Sequence, residues 1–75
     1  MEIYYSDNKL YVQITDQIDF SLINRLKKKL YHILDLYMIS NVELTISNND
    51  KYDITLIDDL LKDYNNRYKG IIIVK

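Results

Sequence analysis

The sequence predicts an α/β (α+β) fold: a two-layer sandwich of ββαβαβ order, with a mixed four-stranded sheet and two helices on one face. Three features of the chain point there. Two segments alternate apolar and polar residues with a period of two. Two longer segments repeat apolar residues at three- and four-residue steps. The only glycine, Gly70, separates the second of these from a short apolar run. Residues 1–75 read as a single domain, and a chain of this length buries only about 60% of its unfolded surface, so it needs an efficient core or a partner.

The first element is a hairpin. "EIYYS" and "KLYVQIT" are β-rich runs joined by Asp7 and Asn8, residue types that tolerate the positive φ angles of a two-residue turn. In the second run Leu10, Val12 and Ile14 alternate with Tyr11, Gln13 and Thr15, which predicts one buried and one open face. A helix is expected over about 20–37, with Leu22, Ile23, Leu26, Leu30, Ile33, Leu34 and Tyr37 forming its apolar stripe. Asp19 or Ser21 caps its first turn, and Ser40 and Asn41 fall in the loop beyond it.

"NVELTIS" alternates again, Val42, Leu44 and Ile46 against Glu43, Thr45 and Ser47, and Asn48, Asn49 and Asp50 form a polar turn. A second helix is expected over about 55–69, with Leu56, Ile57, Leu60, Leu61, Tyr64 and Tyr68 on one face and Gly70 as a left-handed C-terminal cap. "IIIVK" has the pattern of a parallel strand buried on both sides. Right-handed crossovers with the strands laid down in order place both helices on one side of the sheet.

Composition narrows the function. Net charge is −1 with Lys and Asp interspersed, so there is no broad basic face for nucleic acid. Cysteine is absent, which excludes disulfides and thiolate metal sites. No apolar run approaches the roughly 20 residues of a membrane span, and residues 1–5 do not form a signal peptide, so a soluble cytoplasmic domain is expected. Ala, Pro, Trp and Cys are missing while Ile, Lys, Asn, Asp and Tyr abound. That bias suits an AT-rich genome and dilutes the meaning of any single Asn or Tyr.

The segment "DKYDITLIDDL" concentrates the candidate chemistry. Asp50, Asp53, Asp58 and Asp59 are potential ligands for a hard cation, but Tyr52, Ile54, Leu56 and Ile57 interrupt them and no Gly permits a calcium-type loop. The local alternative is a capping box, Thr55-x-x-Asp58, with carboxylates favoured at the helix start. No metal site and no cofactor are expected. His32, the only histidine, has polar helix neighbours and reads as exposed. Lys27, Lys28 and Lys29 read as a solvated face, with partner docking as the alternative. Tyr31, Tyr37, Tyr64 and Tyr68 have packing spacing. Tyr4 and Tyr11 lie on the sheet side no helix covers, where they serve either an interface or cross-strand pairing. With no catalytic carboxylate pair, phosphate loop or nucleophile triad, an enzyme is not expected.

From Lys9 onward the chain resembles a STAS domain, the fold of anti-sigma factor antagonists and of sulfate-transporter tails. "KLYVQITDQIDFSLINRLKKKLYHIL" supplies that family's strand, its acidic turn with Ile18 and Asp19, and its first helix. "ISNVELTISNNDKYDITLIDDLLKDYNNRYKGIIIVK" supplies the second strand, an Asp-led helix, the glycine and the third strand. The resemblance covers nearly the whole chain, mostly through hydrophobic spacing, and its specific matches are Asp19, Asp53 and Gly70. It implies a bacterial regulator that binds another protein around residues 53–57, including Asp53, Ile54, Thr55 and Ile57. Two departures stand out. In phosphorylated members the acceptor hydroxyl directly follows the motif Asp, and here Ile54 does. Either the switch is lost, the reading we favour, or Thr55 is the displaced phosphosite. STAS domains also continue with another helix and strand, so "IIIVK", with Ile71 and Ile73, becomes an open edge expected to pair with a partner protein or to form a homodimer. The alternatives are a structural assembly subunit, or a small phage or plasmid accessory protein such as an inhibitor or antitoxin.

Overall fold

The computed structural model of the chain describes residues 1–47 and 52–75. The elements follow in the order β1 (Glu2–Ser6), β2 (Lys9–Ile14), α1 (Phe20–Tyr37), β3 (Val42–Ile46), α2 (Ile54–Arg67) and β4 (Ile72–Val74). The expected polar turn at Asn48, Asn49 and Asp50 lies outside the described residues.

The four strands form one sheet in the order β1-β2-β3-β4. β1 pairs antiparallel with β2, while β2–β3 and β3–β4 are parallel, as strand–helix–strand crossovers require. The hairpin turn is made by Asp7 and Asn8 at φ 52° and 60°, both left-handed, which matches the twist of the flanking strands. Leu10, Val12 and Ile14 of β2 and Val42 and Leu44 of β3 are buried on one face. There they meet Leu22, Ile23, Leu26, Leu30 and Leu34 of α1, and Ile57, Leu60 and Tyr64 of α2. Both helices therefore cover the same side of the sheet, and the result is a two-layer sandwich. Truncating any of these core leucines to alanine costs about 2–5 kcal/mol, a large share of the stability of so small a domain.

Local chemistry sets the helix ends. Asp19 caps α1, its Oδ1 accepting from the Leu22 N–H at 2.7 Å. At the other end Met38 takes the left-handed conformation, φ 55°, and its N–H reaches Leu34 O. The second helix starts two residues earlier than the capping-box reading requires. Asp53 is its N-cap, so Thr55 is a first-turn residue, and Asp58 is too far along to complete the box.

Three further expectations are corrected. Gly70 is not a left-handed cap: it has no positive φ, and α2 ends at Arg67 with Tyr68 already extended. Its role is close approach, since a Cβ there would meet Ser40 O at 1.7 Å. Tyr37 is not part of the core but 59% exposed, because it lies beside the edge strand, where its ring stacks on that of Tyr5 at 6.0 Å. The last strand is parallel but not buried on both sides. Among the described residues its outer face has no covering layer and it lies at the sheet edge, leaving Ile73 and Val74 exposed.

Candidate functional site

The start of α2 gathers four of the sequence-predicted residues. Asp53 Oδ1 accepts both the Thr55 N–H, at 3.0 Å, and the Thr55 hydroxyl, at 2.7 Å. The hydroxyl contact first, and the N–H second, hold the Asp53 carboxyl below the usual carboxylate range. Ile54 projects beside this pair and is 64% exposed, while Ile57 turns into the core. The site thus presents a fixed carboxylate, a hydroxyl already committed to it, and an apolar side chain. Ile57 positions the helix and cannot itself meet a partner.

The second candidate surface is the open side of the sheet. Cross-strand register places Tyr4, Tyr11, Glu43 and Ile73 in one row. Tyr4 and Tyr11 stack at a centroid distance of 5.0 Å with their planes 11° apart, so cross-strand pairing is realised; Tyr4 stays 48% exposed, while the Lys9 ammonium lies 5.7 Å from the Tyr11 ring centre. Glu43 binds Lys75 at 3.0 Å and lies 4.0 Å from Lys9, linking three strands by charge.

The third is the edge at β4. Ile71 O accepts from the Val42 N–H, Lys75 N–H donates to Leu44 O, and Lys75 O accepts from the Ile46 N–H. In a parallel ladder alternate residues point the same way, so the backbone groups of Ile72 and Val74 face outward. Ile71 is 65% and Ile73 40% exposed beside them. The same alternation across the hairpin turns the backbone groups of Ile3 and Tyr5 outward at the β1 edge.

A cluster between the helices is absent from the sequence reading. The Tyr31 hydroxyl donates to Asp63 Oδ2 at 2.7 Å, Arg67 Nε donates to the same oxygen at 3.2 Å, and the guanidinium lies 4.8 Å from the Tyr31 ring centre. Next to it the Tyr68 hydroxyl donates to Asp35 Oδ1 at 2.8 Å. The Asp63–Arg67 spacing of four was a visible signal. Its pairing with Tyr31 was not, because the two lie 32 positions apart in sequence.

His32 is exposed, and among the described residues no three His, Cys, Asp or Glu side chains come together as metal ligands. Asp50 lies outside the described residues. No helix in them is long and apolar enough to cross a membrane. Comparison with protein-family models, with curated proteins and with solved structures finds no match for the chain.

Proposed function

We propose that the chain is a small non-enzymatic interaction module of the STAS-like, anti-sigma factor antagonist class, binding another protein or a second copy of itself. The observation that carries this reading is the β4 edge, where outward-facing backbone groups at Ile72 and Val74 run beside the exposed Ile71 and Ile73. Unpaired strand groups flanked by apolar side chains are a template for strand addition. The Asp53 and Ile54 corner of α2 is the second contact, and it works without a phosphoswitch. Phosphorylating Thr55 would set a dianion against the Asp53 carboxylate that now accepts its hydroxyl. A cytoplasmic setting follows from this class.

Light scattering at micromolar concentration, combined with amide exchange, tests the edge. A dimer, or a monomer whose Ile72 and Val74 amides exchange freely until partner is added, supports the reading. A monomer with those amides protected sinks it. Pull-down from the native host identifies the partner, and a variant Ile54→Asp should lose it.

The β1 edge favours a second reading, an assembly subunit. With the backbone groups of Ile3 and Tyr5 also facing outward, two different edges allow head-to-tail growth as well as closed pairing. A single dimer mass supports the regulator, and a concentration-dependent series of masses supports assembly.

A further inference from the structure

The open depression between α1 and α2, about 390 Å³, is lined by Asn24, Lys27, Lys28 and Tyr31 from one helix and Asp63 and Arg67 from the other. Three cations and one carboxylate give it a formal charge of +2 on a chain of net −1. Charge alone on a surface decides little, because exposed lysines are solvated. The geometry of Arg67 distinguishes this place. Its Nε is held by Asp63 at 3.2 Å and its guanidinium carbon lies over the Tyr31 ring, 4.8 Å from the centre. Among the described residues its two terminal amino groups have no hydrogen-bond acceptor. An arginine fixed through Nε and stacked on an aromatic has already lost much of its rotamer freedom, and its free edge is the fork that grips an oxyanion with two parallel bonds.

Asp63 serves as the anchor and leaves the depression cationic. Its Oδ2 takes both the Tyr31 hydroxyl and Arg67 Nε. Its carboxyl is held below the usual range first by the Tyr31 hydroxyl, with Arg67 and Lys27 adding to it, so it stays an acceptor and does not turn into a donor. Lys28 has no hydrogen-bond or ion-pair partner among the described residues, and the Asn24 amide supplies a neutral donor. The carbonyl end of α2 opposes an anion, and Arg67 in its last turn offsets it.

We propose that this depression binds a phosphate monoester, gripped by the Arg67 fork and neutralised by Lys27 and Lys28. The inference is independent of the strand-edge reading, since it uses neither β4 nor the start of α2. The ester is carried either by a phosphorylated protein side chain or by a nucleotide, and both present the same terminal dianion.

Backbone amide shifts, followed by NMR in the intact chain during titration with O-phospho-L-serine and separately with AMP, test it. Saturable shifts centred on Asn24, Lys27, Lys28 and Arg67 are expected, with a millimolar Kd. Tighter binding of one probe identifies the source of the ester, and equal binding shows that the phosphate alone is read. Arg67→Gln should weaken binding about ten-fold. Lys28→Gln, which touches no structural partner, should weaken it about three-fold with unchanged thermal stability. Shifts that grow linearly, or that sodium chloride at matched ionic strength reproduces, would overturn the proposal, as would a Lys28→Gln variant that binds like the wild type.

Discussion

The Tyr31 hydroxyl reaches across from α1 to donate to Asp63 Oδ2 of α2 at 2.7 Å. It joins the two helices alongside the Arg67 guanidinium over the Tyr31 ring and the Tyr68 hydroxyl bond to Asp35. Removing it with Tyr31→Phe keeps the ring under Arg67 and against Tyr68, whose centroid is 5.6 Å away. The loss is one charge-assisted hydrogen bond at a half-exposed site, about 1 kcal/mol after allowing for solvent screening. Urea denaturation reads it as a lower midpoint with unchanged slope. Because Asp63 is held below its ordinary value, its contribution is full above the usual carboxylate range and is lost as pH falls through the lowered value. The variant should therefore lose less stability than the wild type on acidification below about pH 4.

The alkaline side has the opposite sign. Burial first, then the hydrogen bond and charge of Asp35, push Tyr68 up to about 12. Burial and Asp63 push Tyr31 upward as well, and burial alone raises Tyr64. These phenols are neutral in the fold and ionise more easily when unfolded. Their contribution is present below the ordinary tyrosine value of about 10 and is lost as pH rises from there through the raised values. Thermal midpoints should fall from about pH 10 upward. The fall should be shallower in Tyr68→Phe, and a flat profile to pH 12 would contradict the Tyr68 shift.

Tyr64 presents the reverse case to Tyr31. It is fully buried, and its hydroxyl meets no hydrogen-bond partner among the described residues. The ring fills the core and stacks on Tyr68 at 5.3 Å, while the hydroxyl bears a desolvation penalty with no bond in return. Tyr64→Phe should stabilise the domain by about 1 kcal/mol. Tyr64→Ala should destabilise it by about 3–5 kcal/mol through the cavity it leaves. The pair of variants, measured in urea, separates ring from hydroxyl.

Gly70 packs directly against the main chain of Ser40. A Cβ there would fall 1.7 Å from Ser40 O and 2.4 Å from Ser40 C, so the neighbouring main chain itself must move. The contact lies next to the pairing of Val42 N–H with Ile71 O at 2.9 Å, which begins the β3–β4 ladder. Gly70→Ala should cost about 1–3 kcal/mol. The loss should fall first on β4, so amide exchange at Ile73 should accelerate more than at Leu44. Equal acceleration at both would mean a global effect and no local wedge.

The parts of the fold legible in the sequence are those where one period admits one answer. Leu10, Val12 and Ile14 alternate, and only that face is buried; Leu22, Leu26, Leu30 and Leu34 of α1 fall on the stripe their spacing defines. Misreadings arose where one residue type serves two structural roles. Gly70 suits a left-handed cap and a close approach equally, and Ser40, which decides between them, is 30 residues away in sequence. Asp53 and Thr55 are both good caps, and the choice depends on where the chain leaves the loop. An apolar run such as "IIIVK" fits a central strand or an uncovered edge alike, because periodicity carries no information on neighbours. The Tyr31–Asp63–Arg67 cluster depends on how two helices lie side by side, and no local pattern encodes that.

The β4 edge yields the last prediction. If its outward groups pair with another chain, a charge placed on its open face should block that pairing with little effect on the fold. Ile73 suits this purpose: it is 40% exposed, and its side chain lies on the uncovered side of the sheet in the row of Glu43. Ile73→Lys introduces the device by which natural edge strands avoid association, and the new ammonium lies beside Glu43, which accommodates it. The variant should keep the wild-type thermal midpoint within about 2 °C, since exposed substitutions change stability by little. Its sedimentation should be monomeric, and partner capture through this edge should be lost. The same charge at Tyr4, at the opposite edge, should leave a β4-mediated dimer intact. If Tyr4→Lys dissociates the dimer and Ile73→Lys does not, β1 is the edge in use and the assignment to β4 is wrong.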